Sequence, residues 1–256
     1  NYSEHRRIID EDFQSLVSLV QSLKEEYADI YVCGTSIFRA LEKEEEQAFL
    51  HRFKDETRID FHIVSQDEES ECTVLAAVRN VEAKSCVFVG GGGSCEIAIY
   101  EKGIKEAVNV PFGVIDVMNQ FPDLADDTAK TSLEAVMEYI RSHLDISTEE
   151  KANVLILAGG GHEKFARLSG IKYEENTLFK DETKSIMMDI ELRKAETRRY
   201  FEEISLDEIR NRVDDPQWWF ATRAMAAFVL VVAEVFDIKY VIPTDLSMAY
   251  GIIEKL

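Results

Sequence analysis

Two glycine runs constrain this chain more than any other feature. Gly90-Gly91-Gly92-Gly93-Ser94 follows the apolar, β-rich run Cys86 to Val89, and Gly159-Gly160-Gly161 follows the apolar run Val154 to Leu157. Glycine has no Cβ, so successive glycines can turn their backbone N–H groups toward an anion. The first run is followed by a second strand, Cys95 to Tyr100, a turn at Glu101-Lys102-Gly103-Ile104 and a third strand through Val110. That is the order of a phosphate-gripping hairpin, and it differs from the strand–loop–helix order of a Rossmann or P-loop site. The second run opens a helix from about Glu163 to Leu168. Free amides and the helix dipole favour a phosphate there. Each run alone reads equally as a plain turn. Two of them, roughly seventy residues apart and each directly behind an apolar strand, suggest two loops facing one cleft.

The pattern around them alternates strand and helix, which makes the class α/β. Apolar residues at Phe13, Leu16, Val17, Val20, Leu23 and Tyr27 have helical spacing over Asp10 to Tyr27. Asp29 to Cys33 is a short strand ending at Gly34-Thr35-Ser36. A charged helix follows from Arg39 to Phe53, then an alternating strand Ile59 to Val64 and a helix Asp67 to Val78. Val81 to Lys84 reads as a linker, so residues 1–82 and 83–256 are expected to be two domains. Further on, the sequence predicts helices at Thr128 to His143, Leu206 to Val213 and Pro216 to Val235. A strand at Tyr240 to Ile242 and a helix through Ile253 close the chain.

Composition narrows the partners. The 256 residues carry a net charge of −20, which repels nucleic-acid phosphates and anionic lipid, so neither nucleic acid nor membrane is expected as a partner. A phosphate substrate would need a local basic or backbone-amide pocket, or bridging cations. Cys33, Cys72, Cys86 and Cys95 fit no zinc spacing and no dense disulfide framework, and read as reduced core cysteines of a cytoplasmic protein. Asn1 to Arg7 is polar and does not open as a secretory signal. No segment reaches the roughly 18 apolar residues of a membrane span. Ala224 to Val235, the longest candidate, reads as a buried helix.

Several polar residues could carry chemistry. Glu68 and Glu69 open a helix just after a strand, where a carboxylate can activate water or simply complement the helix dipole. Arg39 follows the Gly34-Thr35-Ser36 turn, and a guanidinium there suits phosphate oxygens or stands at the surface. His162 follows the second glycine run, as an anion donor or as a capping or surface residue. Arg193, Lys194, Arg198 and Arg199 form the main basic concentration. They either hold an extended anion or pair with Glu191, Glu196, Glu202 and Glu203.

Taken together these segments resemble the Ppx/GppA family, the exopolyphosphatases and guanosine pentaphosphate phosphohydrolases. Cys33 to Ala40 is similar to the family's "ATSALREA", Ile63 to Ser70 to "VISGEEEA", and Val87 to Glu96 to "VIDIGGGSTE". Val110 to Gly113 is similar to "LPLG", Leu157 to His162 to the second glycine motif, and Asp245 to Gly251 to "DxxLREG". The resemblance implies a ribonuclease-H-like, actin-type α/β fold of two lobes and a phosphatase acting on terminal phosphates. Its substrates would be polyphosphate or guanosine penta/tetraphosphate, and Mg²⁺ its cofactor. Position by position, it implies that Glu69 is the catalytic base and that Arg39 contacts phosphate. Gly91, Gly92, Gly93 and Ser94, with Gly160 and Gly161, would form the phosphate loops, and Glu96 would be the metal ligand.

The departures point the other way. The family's opening "DxGSNS" loop has no counterpart here, so the first lobe is expected to be incomplete at its N-terminus: the chain is truncated, a homodimer contact or a partner supplies the cover, or the lobe is rebuilt. Val89 stands for the aspartate of "VIDIGGG", Asp116 for an arginine after "LPLG", and Ala249 for the arginine of "LREG". These changes open the alternative of a catalytically degenerate member that senses nucleotides or phosphate.

Overall fold

The computed structural model describes residues 8–146, 148–213 and 216–255, so the polar opening Asn1 to Arg7 lies outside the described residues. Packing divides the chain into two compact units that meet between Ser70 and Glu71.

The first unit is built on an aromatic core. Helix α1 (Asp10–Glu26) turns Phe13, Val17 and Val20 to one face, the i, i+4, i+7 spacing of an amphipathic helix. Strand β1 (Val32–Gly34), the short helix α2 (Ser36–Arg39), helix α3 (Lys43–Thr57) and strand β2 (Phe61–Ile63) follow. The two strands pair in parallel. Phe49, Phe53 and Phe61 are buried with the α1 residues, and Phe38 meets Phe61 in a tilted ring contact with centroids 4.6 Å apart. The helix expected from Arg39 to Phe53 is two helices. Extended Glu42 stands as the N-cap of α3 and breaks the run.

Helix α4 (Gln66–Val78) crosses the division. Its later apolar positions, Val74, Ala77 and Val78, pack with Val87, Ala98, Ile156 and Ile242 of the second unit.

That second unit is a seven-stranded mixed sheet. A meander of β3 (Ser85–Gly90), β4 (Cys95–Tyr100) and β5 (Ile104–Val110) forms one end. Helices α5 (Val114–Gln120) and α6 (Leu133–His143) lead to β6 (Val154–Ala158). Helix α7 (His162–Leu168), strands β7 (Glu174–Glu175) and β8 (Ile186–Asp189), and helices α8 (Ile190–Glu202) and α9 (Leu206–Arg210) come next. Helix α10 (Thr222–Phe236), strand β9 (Tyr240–Pro243) and helix α11 (Met248–Lys255) complete it. The strand order is β5-β4-β3-β6-β9-β8-β7, with β3, β6 and β9 mutually parallel at the centre. Central parallel strands are covered on both faces, which is why Val154–Ala158 is buried at every position.

The sequence pattern misses α5, β8 and α8 and starts α6 too early. Ser132 accepts the Ala135 amide at 3.3 Å and sets the true start of α6. In α8 the buried positions include Arg193, Glu196 and Thr197, so the apolar period is broken where the helix faces inward. The stretch Pro216–Ala221 is a 3₁₀ turn, and the α-helix begins only at Thr222. Together Trp219–Phe236 is long and apolar enough to cross a membrane, longer than the sequence reading allowed, but 72% of it is buried within this fold. The four cysteines form no disulfide, and burial holds the Cys86 thiol well above its ordinary range and pushes Cys95 up to about 12.

Among the described residues, Lys184, Arg193 and Arg223 are buried cations of the second unit. Arg223, only 1% exposed, donates to the carbonyls of Tyr200, Leu124, Asp126, Asp127 and Ile204 at 2.6–3.2 Å. Lys184 donates to Asp181 at 2.8 Å and to the Arg79 carbonyl at 3.0 Å. The closing glycine has a packing reason as well. A Cβ on Gly251 of α11 would lie 1.9 Å from the Cys72 carbonyl oxygen of α4. Gly251→Ala must push backbone against backbone, and we expect it to lower stability by about 1–3 kcal/mol in chemical denaturation. An unchanged midpoint would contradict this packing.

Candidate functional site

The first unit joins the two residues singled out in its motifs. Thr35 ends the β1 turn, and its carbonyl accepts from the Phe38 and Arg39 amides, which starts α2 and fixes Arg39 one turn on. Arg39 Nη1 donates to Glu69 Oε2 at 2.7 Å and to the Val64 carbonyl at 2.9 Å, and Nη2 donates to Gln66 Oε1 at 2.6 Å. Both side chains of the ion pair stay partly open, 22% and 30% exposed. A guanidinium held by three acceptors is fixed in direction, and it fixes the carboxylate beside it. Glu68 points elsewhere and bonds His62 at 3.2 Å.

In the second unit the first glycine run is a tight loop at the end of β3. The Gly91 amide donates to the Ser94 carbonyl at 2.9 Å, while the Gly91 and Gly92 carbonyls accept from Val114 and Ile115 at the start of α5. Gly113 packs against this loop so closely that a Cβ would lie 2.3 Å from the Gly92 carbonyl oxygen. Asp116 accepts the Gly113 amide at 2.8 Å. The acidic residue at the family's arginine position is thus spent on starting α5. Ser94 Oγ donates to Glu96 Oε1 at 3.2 Å. Glu96 stands opposite Val89 in the β3–β4 register, so the neighbouring strand supplies no second carboxylate. Among the described residues no group of three His, Cys, Asp or Glu side chains could hold a metal. Mg²⁺ demands an octahedral set of oxygens. Glu96 by itself does not make a Mg²⁺ site; substrate phosphate oxygens would have to complete the ligand set.

The second run, Gly159 to Gly161, has φ of +106°, +95° and +80°, conformations that L-residues with a side chain rarely adopt. Gly159 donates to the Leu246 carbonyl at 2.8 Å. The first amides of α7 are already occupied. Asp245 Oδ1 accepts from Glu163 and Lys164 at 2.9 and 3.2 Å. A carboxylate from the closing motif therefore takes the place sequence reading gave to a phosphate at those helix amides.

Both runs line one cavity of about 610 Å³ inside the second unit. His162 lines it too, and burial, reinforced by the nearby Arg193 guanidinium, holds its imidazole down to about 4 against the opposing pull of Asp245. It stays neutral at ordinary pH and lies half-buried in the cavity wall. The basic segment before Tyr200 splits. Lys194 pairs with Glu191, Arg198 with Glu134, and Arg199 with Glu196 and Glu203. Arg193 alone turns inward to the cavity. Trp219, which no motif marks, lines the same cavity.

An α/β chain with a mixed sheet of this order and glycine turns at the ends of β3 and β6 has the ribonuclease-H-like, actin-type fold. The sequence matches the model of the Ppx/GppA phosphatase family over residues 5–253, and the chain belongs to that family. Solved structures agree on the fold. A Ppx/GppA protein of Aquifex aeolicus superposes with a TM-score of 0.76 at 16% identity, covering 99% of this chain and 84% of that one. A second Aquifex aeolicus structure, of a PPX-GPPA enzyme, gives 0.75 at 18% identity over 98% and 84%. An exopolyphosphatase from Cytophaga hutchinsonii gives 0.72 at 15% identity over 97% and 83%. None of the curated proteins searched matches this chain.

Proposed function

We propose that this protein hydrolyses terminal phosphates of polyphosphate or guanosine pentaphosphate. The observation that carries the reading is the Arg39–Glu69 pair at 2.7 Å, fixed by Val64 and Gln66 on two motif segments that resemble the family's. In this reading Glu69 takes a proton from the attacking water. Arg39 orients that carboxylate and meets phosphate oxygens. The amides of Gly92, Gly93 and Ser94, with Gly160 and Gly161, hold the phosphates. Glu96 is assigned to Mg²⁺, which would supply charge neutralisation on the phosphates when bound. Phosphate release from polyphosphate and from guanosine pentaphosphate, each with and without Mg²⁺, tests the reading. Turnover of either supports it.

A degenerate, phosphate- or nucleotide-sensing role is the second reading. Val89 favours it, because an apolar side chain stands opposite Glu96 and close against Gly159, 3.1 Å from where a Cβ would be. No turnover of either substrate, with guanosine tetraphosphate raising the melting temperature, would favour sensing over hydrolysis.

The acidic surface gives a further expectation. At −20 the protein repels a polyanion at long range, and added salt screens that repulsion. The kcat/KM for long polyphosphate should therefore rise as ionic strength increases from low values. A monotonic fall would mean that local cation contacts outweigh the net charge.

A further inference from the structure

The cavity of the second unit holds polar donors that the phosphatase reading does not use. Arg193 is 7% exposed, and among the described residues its guanidinium makes no hydrogen bond, its Nε being buried without an acceptor. Trp219 Nε1 is likewise buried and unpartnered. Both residues line the same cavity. Burial lowers the Arg193 pKa, which the nearby Tyr200 and Glu196 oppose, but Glu196 spends its Oε2 on Arg199 at 2.6 Å. A buried cation without hydrogen-bond partners is costly and rare in a folded protein. Replacing such a group with an apolar one commonly raises stability.

The rest of the lining is chiefly apolar. Trp219 stacks on Phe165 with ring centroids 4.5 Å apart, and Met188, Met225 and Leu157 add further walls. At about 610 Å³ the space matches that of a small organic ligand. A bare inorganic anion would leave most of the apolar surface uncovered. A purely apolar ligand would leave both donors unpaired.

We infer that this cavity binds a small organic oxyanion, a carboxylate or phosphate carried on an aromatic or similarly apolar body. Its anionic head accepts from Arg193 and Trp219 Nε1, and its body lies against Phe165 and the two methionines. Gly92, Gly160 and Gly161, given to phosphate in the hydrolytic reading, also line this cavity, but the inference concerns binding through Arg193 and Trp219 and does not require turnover.

The test is equilibrium binding to the whole protein, by tryptophan fluorescence and calorimetry, with four probes. Phenyl phosphate and benzoate carry both head and body, inorganic phosphate carries only the head, and benzyl alcohol only the body. Phenyl phosphate or benzoate should bind more tightly than inorganic phosphate and benzyl alcohol. Arg193→Met should weaken that binding about tenfold or more, through the lost charge-assisted bonds, while the variant melts at or above the wild-type temperature. Trp219→Phe keeps the ring stack and removes one donor, so it should weaken the same probes without affecting benzyl alcohol. Equal affinity for the organic anions in wild type and Arg193→Met would overturn the inference. So would inorganic phosphate matching them, or binding by neither organic anion.

Discussion

Glu69→Gln is expected to lower the rate of phosphate release by roughly a hundred- to ten-thousandfold, the span general-base removal typically costs. The amide is the same size as the carboxylate and can still accept from Arg39 through its oxygen, so the turn from Val64 to Gln66 should hold its shape. It cannot take a proton from water. The loss should therefore fall on kcat, with KM little changed, because no phosphate contact is assigned to Glu69. Arg39→Lys supplies a comparison. It keeps the charge but cannot span Val64, Glu69 and Gln66 at once, so both kcat and KM should suffer. Steady-state kinetics on polyphosphate separates the two. If Glu69→Gln retains wild-type kcat, Glu69 is not the base.

Arg223→Met should be the most destabilising single change in the second unit. The guanidinium satisfies five backbone carbonyls from three chain segments: Leu124 to Asp127, Tyr200 and Ile204. Unlike the side-chain partners of an ion pair, these acceptors cannot be removed by a matching substitution. Methionine fills much of the volume and leaves the carbonyls without donors. Removing one partner of such a buried charged network costs about 3–5 kcal/mol. For a chain of this size, that lowers the melting temperature by about 10 °C or more. Arg223→Lys should recover only a part, since one ammonium cannot reach carbonyls on every side. A circular-dichroism melt of Arg223→Met within about 2 °C of wild type would show that the network carries little.

These two residues illustrate what the sequence discloses. Glu69 and Arg39 are thirty positions apart, and only their place in motif-like segments brought them forward. Their ion pair was not legible, because nothing local specifies which acceptors a guanidinium will find. Arg223 stands just before the apolar run Ala224 to Val235, and no motif marks it, although it is a structural centre. The strands β3, β4, β6 and β9 were plain because buried parallel and hairpin strands are uninterrupted apolar runs. Helix α8 was not, since Arg193, Glu196 and Thr197 occupy the inward positions that apolar periodicity looks for. Arg193 itself was grouped with its basic neighbours, and only packing separates it from the three that pair on the surface. The signal at the start of α7 does not say which anion answers it. An N-terminal turn attracts an anion of any kind, and here the chain provides its own in Asp245, 82 residues away.

The most direct measurement of the hydrolytic account follows the attacking oxygen. Polyphosphate is incubated with the protein in water enriched in oxygen-18, and the released phosphate is examined by mass spectrometry. A water activated by Glu69 places one solvent oxygen in each phosphate released, and Glu69→Gln releases almost none. Phosphate lost without solvent oxygen, or released as fast by the variant, would contradict the account.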